Sequence, residues 1–222
     1  MPSKLEKFAD LASFENCFTL FFENISKGFQ LKGKWKENYF KNTNPLVLEL
    51  GCGKGEYTVG LSSANPQKNY IGVDIKGNRI WTGAKQCLDA KLTNAAFLRT
   101  RIDFIEHCFA SEEVDEIWIT FPDPQPQSTR ARKRLTHPMF TNRYKKILKK
   151  GGLVHLKTDS TSLYEYTLET IAENNFNLIW HTNNLYKDCP ANRQELITIK
   201  TYYEKLFTEK GEDIKYIAFQ IH

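Results

Sequence analysis

The residues best suited to chemistry begin with a glycine-rich turn that follows an apolar run. Residues 46–50 read as a buried strand that contains an acid, Glu49. Three glycines, Gly51, Gly53 and Gly55, follow at alternate positions, and a helical pattern begins directly after them. Glycines allow a tight turn and the close approach of a ligand, and a helix amino terminus favours electron-rich groups. The stretch therefore predicts a ligand-binding turn between a strand and a helix.

The spacing of these glycines differs from the dinucleotide fingerprint, which needs its third glycine three residues after the second. Glu56 occupies that position. A second apolar run, residues 70–74, also ends in an acid, Asp74, 19 residues after Gly55. At that distance a carboxylate on the second strand of a βαβ unit reaches a ribose diol and accepts hydrogen bonds from its two hydroxyl groups. A strand–helix turn that binds no ligand is the alternative interpretation.

A proline-braced acid follows another predicted strand, residues 116–120. The segment 121–127, Phe-Pro-Asp-Pro-Gln-Pro-Gln, has three prolines at alternate positions, which forbid a helix and leave a stiff, extended chain. Ligands of open α/β sheets bind outside the carboxyl ends of the strands. We therefore expect Asp123 at the place of chemistry, and a solvated loop acid is the alternative.

Two basic segments could contact phosphates. The first contains Arg130, Arg132, Lys133 and Arg134 and follows the rigid acidic loop, a position that favours phosphate binding over a solvated loop. The second, residues 32–36, combines three lysines with a tryptophan. It is either an arm packed on the outside of the domain or an arm that holds a phosphate backbone.

Seven predicted strands alternate with helices in this chain of 222 residues. The pattern predicts an α/β fold with a doubly wound, mostly parallel seven-stranded sheet, helices on both faces and an antiparallel carboxy-terminal edge strand. Residues 1–42 are expected to form an amino-terminal helix and the basic arm, and residues 43–222 the main domain. The predicted strands are residues 46–50, 70–74, 95–99, 116–120, 153–157, 177–182 and 216–221.

Composition narrows the class of protein. The net charge of +5 is compatible with a nucleic-acid partner. Five scattered cysteines without a C-x-x-C pair argue against a disulfide framework and a zinc site, and they favour the reducing cytoplasm. We find no signal peptide pattern and no apolar run long enough to cross a bilayer.

Five stretches together resemble a known family. Glu-x-Gly-x-Gly-x-Gly at 49–55 resembles motif I of the class I S-adenosylmethionine (AdoMet) methyltransferases. With four later stretches, the chain from about residue 32 to its end resembles the bacterial single-subunit tRNA (guanine-N7-)-methyltransferase family. Those stretches are Phe-Pro-Asp-Pro at 121–124, Arg-Lys-Arg-Leu at 132–135, His-Leu-Lys-Thr-Asp at 155–159, and Thr-Tyr-Tyr-Glu-Lys-Leu-Phe at 201–207.

The resemblance implies a Rossmann-like class I methyltransferase fold and a specific reaction. A methyl group passes from AdoMet to N7 of a guanine in tRNA, at position 46 of the variable loop, and forms 7-methylguanosine. It also implies tRNA as partner, a cytoplasmic monomer or homodimer, and neither a metal nor a membrane. The alternatives are an AdoMet methyltransferase acting on another RNA or a small molecule, and a catalytically inactive RNA-binding relative.

The resemblance also implies roles for individual residues. Asp123 is implied as the catalytic residue, either by orienting the guanine or by stabilising the positive charge of the product. The implied cofactor-binding residues are Glu49, Gly51, Gly53, Gly55, Asp74, Asp103 and Asp123. The implied substrate-binding residues are Gln127, Arg130, Arg132, Arg134, Asp159, Thr201, Tyr203 and Glu204.

Asp103 has an alternative role, and two positions depart from the family pattern. The resemblance places Asp103 near the adenine, where its carboxylate would accept a hydrogen bond from the exocyclic amine. Because helical spacing also starts at this residue, a role as a helix N-cap is the alternative. The family usually has tryptophan where Gln125 stands and lysine where Gln127 stands. Arg130 is the nearest residue that could supply the missing cation.

Overall fold

A computed structural model describes residues 2–221, and an eight-stranded sheet forms its centre. The strands are β1 (Cys17–Thr19), β2 (Leu46–Leu50), β3 (Asn69–Asp74), β4 (Ala95–Arg99), β5 (Val114–Thr120), β6 (Leu148–Thr158), β7 (Asn177–Thr182) and β8 (Lys215–Gln220). The helices are α1 (Lys4–Ser13), α2 (Glu56–Ala64), α3 (Gly77–Asp89), α4 (Ile105–Cys108), α5 (Pro138–Ile147), α6 (Thr161–Glu173), α7 (Leu185–Asp188), α8 (Glu195–Thr198) and α9 (Tyr202–Glu209).

The strand order is β1-β4-β3-β2-β5-β6-β8-β7. Strand β8 runs antiparallel to both of its neighbours, β6 and β7, while the other recorded strand pairs are parallel. The mostly parallel α/β sheet is thus confirmed. The predicted count of seven strands is wrong, because the three residues of β1 pair with β4 and add an eighth strand.

The place of the last strand also differs from the prediction. Strand β8 lies between β6 and β7, so β7 is the edge strand on that side of the sheet. The burial of the two strands explains this order. Residues 215–219 of β8 are buried, whereas β7 exposes most of its length, including Leu178 and Ile179. A continuous apolar run needs cover on both faces and hydrogen bonds on both sides, as an inner strand provides.

Strand β2 shows how the two helical layers share the core. Leu46, Leu48 and Leu50 point to one face, where they join the hydrophobic cluster that includes residues of α5 and α6. Val47 points to the other face and joins the cluster that contains Tyr57 of α2. This alternation follows from the two-residue period of a strand, and it confirms helices on both faces of the sheet.

The basic segment before β2 packs on the domain. Trp35 is fully buried, and its ring nitrogen donates a hydrogen bond to the carbonyl oxygen of Cys108, 3.0 Å away. Lys36 forms an ion pair of 3.1 Å with Asp115, and Lys32 donates to a backbone carbonyl of α4. The packed-arm interpretation is the one that the structure supports. The boundary between residues 42 and 43 stays a prediction.

Two helices, α8 and α9, precede β8 in place of one continuous helix. Thr201 begins α9 as its N-cap, because its hydroxyl oxygen accepts a hydrogen bond from the Glu204 backbone N–H at 3.1 Å. A threonine at this position satisfies an otherwise free helical N–H group and so favours a new helix start. Within residues 2–221, no helix combines the length and the apolar character needed to span a bilayer.

Candidate active site

A cavity of about 840 Å³ opens at the carboxyl ends of β2, β3, β5 and β6. This volume lies in the range of small-molecule and cofactor sites. Parallel strands end at the same edge of the sheet, so residues from distant motifs meet there. Seven of the predicted site residues line the cavity, namely Gly51, Gly53, Asp74, Asp123, Asp159, Thr201 and Tyr203.

The glycine-rich turn has the backbone that its sequence predicts. Gly51, Gly53 and Gly55 have φ angles of 75°, 55° and 75°, a region that other residues rarely adopt. The Gly53 N–H donates a hydrogen bond of 2.9 Å to one carboxylate oxygen of Asp74. The other oxygen accepts from the backbone N–H of Lys76 at 2.8 Å. Asp74 therefore fixes the turn and also lines the cavity.

Gly55 packs against the core below the turn and does not line the cavity. A Cβ atom on Gly55 would lie 2.5 Å from Cε1 of Phe97. Gly53, by contrast, has no atom of the described residues within 4 Å of such a Cβ. The two glycines are thus required for different reasons, close packing at Gly55 and an open approach at Gly53.

Glu49 lies behind the turn and does not line the cavity. It is almost fully buried, and one carboxylate oxygen accepts hydrogen bonds from both the backbone N–H and the hydroxyl of Thr58. The other oxygen accepts from the Thr120 hydroxyl at 2.8 Å. Burial raises the pKa of Glu49 to about 7, although these hydrogen bonds oppose the increase. Glu49 therefore joins β2, α2 and β5, and it reaches the cavity only through Thr120.

Asp103 lies in a neighbouring cavity of about 540 Å³. Its carboxylate pairs with the Arg101 guanidinium at 2.9 Å. The N-cap interpretation of Asp103 is wrong, because the residue lies inside the short 3-10 turn Ile102–Phe104, which has no side-chain cap. Ile75, which directly follows Asp74, lines this second cavity as well. The two cavities therefore flank the end of β3.

The loop that carries Asp123 is held in a strained backbone. Phe121 and Gln125 have φ angles of 47° and 45°, and each such residue costs on the order of 1–3 kcal/mol. The Phe121 N–H donates to the carbonyl oxygen of Lys157 at 2.8 Å. The Asp123 carboxylate accepts from the Gln125 N–H at 3.1 Å. Asp123 itself is exposed and lines the cavity.

Arg134 fastens this loop. Its guanidinium donates two hydrogen bonds, of 3.2 and 3.1 Å, to the carbonyl oxygen of Gln125. The same group lies over the ring of Tyr166, 4.3 Å from its centre, and only 9% of Arg134 is exposed. The sequence predicts a substrate contact at Arg134, whereas in the structure its guanidinium group contacts Gln125 and Tyr166 of the protein itself.

The remaining cations of that segment are exposed on the 3-10 turn Ser128–Lys133. Lys133 lines the cavity, while Gln127, Arg130 and Arg132 lie on the surface outside it. The structure therefore brings one cation of the loop to the cavity and leaves two on the adjoining surface.

Helix α9 delivers Thr201 and Tyr203 to the cavity, but not Glu204. Glu204 is fully buried, and its carboxylate forms an ion pair of 2.6 Å with Lys157 and accepts a hydrogen bond from the Tyr186 hydroxyl. Lys157 is also fully buried, and burial lowers the pKa of its ammonium group. Glu204 therefore does not line the cavity beside Thr201, because it is the buried counterion of Lys157.

Asp159 lies just past the end of β6 and lines the cavity beside Thr201. Partial burial raises the pKa of its carboxyl group. Within residues 2–221, no group of three or more His, Cys, Asp or Glu side chains is arranged to hold a metal ion.

Sequence reasoning missed two sets of lining residues. One set is basic: Lys54 lies within the glycine turn, and Lys76 and Arg79 follow β3. Neither these three nor Lys133 forms an ion pair with another residue in the described part of the chain. The rule that ligands bind just beyond strand ends could have found Lys76. The other set is aromatic, Phe121, Tyr202 and Phe207.

Comparison with known proteins identifies the family. A family model described as a putative methyltransferase matches residues 43–217. A tRNA (guanine-N(7)-)-methyltransferase of Christiangramia forsetii is 48% identical over 220 residues, which cover 99% of this chain and 98% of that protein. The enzyme of the same name from Bacteroides thetaiotaomicron is also 48% identical, over 99% of this chain and 86% of its own length.

A solved structure supports the fold independently. The 16S rRNA methyltransferase KamB superposes with a TM-score of 0.63 at 15% identity, over 83% of this chain and 91% of its own. That likeness concerns the fold alone, whereas the two close relatives match the chain from end to end. The chain therefore belongs to the tRNA (guanine-N(7)-)-methyltransferase family.

Proposed function

We propose that this protein transfers a methyl group from AdoMet to N7 of a guanine in tRNA and so forms 7-methylguanosine. The observation that carries the proposal is the meeting of three motifs at one cavity. The glycine turn with Asp74, the proline-braced Asp123 and the start of α9 all line it. The names of the close relatives supply the substrate.

The residues of the cavity fit AdoMet. Gly53 leaves open the space that a Cβ would fill, so a ligand can approach the backbone there. Asp74 presents a carboxylate beside the turn, and carboxylates accept hydrogen bonds from ribose hydroxyl groups. We assign Gly51, Gly53 and Asp74 to this cofactor. Asp103 lines the neighbouring cavity, and Arg101 contacts only its Oδ2, so its Oδ1 can accept a hydrogen bond from the adenine amine.

The reaction requires the guanine and the methyl donor to be positioned, and it does not require a general base. When bound, AdoMet supplies a methyl group on a positively charged sulfur. Guanine N7 is an acceptor with an available lone pair, so no proton has to leave before it attacks. The chain therefore needs to orient the guanine and to stabilise developing charge, the two effects that dominate such reactions.

Asp123 is suited to both tasks. Its carboxylate lines the cavity and accepts a hydrogen bond from the Gln125 N–H. This hydrogen bond and the strained backbone of the loop fix the position of the carboxylate. A carboxylate accepts hydrogen bonds from guanine N1 and N2, and it also offsets the positive charge of the methylated ring. The two roles differ in whether the negative charge itself is required.

The exposed cations beside the cavity are suited to tRNA phosphates. Arg130 and Arg132 lie on the surface next to Lys133, which lines the cavity. Phosphate contacts position a nucleic acid without reading its sequence and weaken steeply with salt. We therefore assign these residues, with Gln127, to the tRNA backbone.

The direct test uses purified protein, AdoMet and unmodified tRNA. Nuclease digestion and mass spectrometry of the product should show 7-methylguanosine, and mapping by reverse transcription after borohydride and aniline treatment should locate it in the variable loop. Absence of 7-methylguanosine would refute the proposal. Isothermal titration with AdoMet would then separate an enzyme for another substrate, which releases heat on binding, from an inactive RNA-binding relative, which does not.

Asp123 is tested by two variants. Asp123→Ala removes the acceptor and the charge, while Asp123→Asn keeps the oxygen that accepts from Gln125 and removes only the charge. We expect Asp123→Ala to abolish turnover while tRNA retention at low salt stays near that of the wild type. If charge stabilisation dominates, Asp123→Asn loses as much activity as Asp123→Ala. Asp89→Asn, an exposed carboxylate outside the cavity, is the matched control.

The proposal extends to the cellular location, the oligomeric state and the extent of the domain. The protein acts in the cytoplasm, where tRNA is modified. It works as a monomer or homodimer. Residues 43–222 form the methyltransferase domain, to which the segment before residue 43 contributes strand β1.

A further inference from the structure

We propose that the target guanine is drawn out of the tRNA fold and stacks on an aromatic ladder formed by Phe121, Phe207 and Tyr203. This inference rests on the proposed function and adds the way in which the base is held. All three rings line the cavity. Phe207 lies between the other two, with ring centres 6.4 Å from Phe121 and 6.4 Å from Tyr203.

The ladder has the geometry of a stack. The ring planes of Phe121 and Phe207 differ by 17°, and those of Tyr203 and Phe207 by 22°. Nearly parallel rings at this separation form offset stacks. Phe121 and Phe207 are partly buried against the hydrophobic cluster of α2 and β8, whereas 42% of Tyr203 is exposed. The ladder is therefore anchored at one end and open at the other.

Backbone strain supports a functional role for the anchored end. Phe121 adopts a φ angle of 47°, a conformation that is unfavourable for a bulky residue. Such strain persists where the surrounding structure enforces it, and it concentrates at functional sites. Here the strained residue begins the loop that carries Asp123. One backbone feature thus fixes both a ring of the ladder and the carboxylate.

The position of the ladder favours the guanine over the cofactor. Phe121 directly follows β5, as does Asp123, while the cofactor residues follow β2 and β3. Strand β2 separates β3 from β5, so the ends of those two strands lie about 10 Å apart. Phe121, the anchored end of the ladder, is therefore on the Asp123 side of the cavity.

Methylation at N7 is compatible with stacking. The lone pair of N7 lies in the plane of the base, so the methyl group arrives at the edge and both faces of the ring stay free. Enzymes that modify a base inside a folded nucleic acid extrude it and hold it between aromatic or apolar side chains. Tyr203 at the open end offers such a face, and Asp123 lines the same cavity.

The test uses Tyr203→Ala, Tyr203→Phe and Tyr203→Leu in the full chain. Loss of one base–aromatic stack corresponds to about 5-fold to 150-fold in binding. We expect Tyr203→Ala to raise KM for tRNA by that factor with kcat nearly unchanged, because stacking is present before and during the reaction. Tyr203→Phe should match the wild type, and Tyr203→Leu should resemble the alanine variant.

Two controls separate this inference from a folding defect. Isothermal titration with AdoMet should give the wild-type dissociation constant for all three variants. Ile179→Ala removes an exposed apolar side chain on β7, outside both cavities, and should leave KM unchanged. A wild-type KM for Tyr203→Ala would overturn the inference, and so would an equal loss in Tyr203→Phe.

A direct readout is a tRNA with 6-thioguanosine at the target position, which crosslinks to neighbouring rings under long-wave ultraviolet light. We expect crosslinked peptides that contain Tyr203, Phe207 or Phe121. A crosslink to Phe22 or Phe104 of the second cavity, which also holds paired rings, would overturn the inference. If the wild type produces 7-methylguanosine while the crosslink maps elsewhere, the ladder fails and the proposed function stands.

Discussion

The buried ion pair between Lys157 and Glu204 gives the sharpest prediction about stability. Both side chains are fully buried, and the ammonium nitrogen lies 2.6 Å from the carboxylate oxygen. Lys157 also donates to the carbonyl oxygen of Leu196, and Tyr186 donates to Glu204. The pair thereby connects the end of β6 to the first turn of α9, next to Asp159 and Tyr203.

The perturbation is Lys157→Met, which keeps an unbranched side chain and removes the charge. Glu204 is then left with the Tyr186 hydroxyl, and the Leu196 carbonyl loses its donor. Removing one partner of a buried ion pair costs about 3–5 kcal/mol, because the other charge stays buried and uncompensated. Folding free energies are about 5–15 kcal/mol, so the loss is a large fraction of the total. For a chain of this length it lowers Tm by roughly 6–20 °C.

The assay is urea unfolding followed by tryptophan fluorescence, for which the chain has four tryptophans. Lys85→Met is the matched control, because it removes a lysine from an exposed ion pair with Asp89 and should cost less than about 1 kcal/mol. The double variant Lys157→Met with Glu204→Leu removes both buried charges and should regain about 2 kcal/mol or more.

Either of two results would refute this reasoning. If Lys157→Met costs no more than Lys85→Met, the charge of Glu204 is not isolated by the loss of its partner. The same conclusion follows if the double variant is less stable than Lys157→Met by the cost of a second independent mutation. In either case Glu204 would be free to turn towards the cavity, as the family resemblance implies.

Three further predictions concern the turn and its surroundings. Burial raises the pKa of Glu49 to about 7, above its value of about 4.3 in an unfolded chain, so its contribution to stability should fall by up to about 4 kcal/mol as the pH rises from about 4.3 to about 7. Urea unfolding across pH should show this fall in the wild type and not in Glu49→Gln. Gly55→Ala should destabilise the fold by more than Gly53→Ala in the same assay, because only the first places a Cβ 2.5 Å from a ring atom. Arg130→Ala should reduce the slope of log binding constant against log salt by about 0.7 to 0.9, whereas Arg134→Ala should lower kcat and leave the slope unchanged.

Local patterns were sufficient for the part of the site built from strand ends. The glycine spacing predicted the turn, and the apolar runs predicted which acids follow β3 and β5. Because parallel strands end at one edge, Asp74 and Asp123 were expected to meet, and both line the same cavity. Order along the chain and strand direction therefore predict much of the site.

Contacts between residues that are far apart in the chain determine the parts of the site and the fold that the sequence did not predict. The family resemblance implied substrate binding at Glu204, yet its carboxylate pairs with Lys157 of β6 in the core. A cluster of cations predicted phosphate binding at Arg134, yet the carbonyl of Gln125 captures that guanidinium. Likewise β8 enters the sheet between β6 and β7 because of its burial, which depends on the packing of the whole sheet.

The two departures from the family pattern have a structural explanation. Residue 125 serves the loop through its main chain, since its N–H donates to Asp123 and its carbonyl oxygen accepts from Arg134. Glutamine supplies these groups as well as tryptophan does, so the place of Asp123 is kept. Gln127 begins the 3-10 turn Ser128–Lys133, and the Arg130 N–H donates to its carbonyl oxygen at 2.9 Å. Arg130, which this hydrogen bond holds one turn after Gln127, is exposed and is the nearest cation along the chain to the position where the family has lysine.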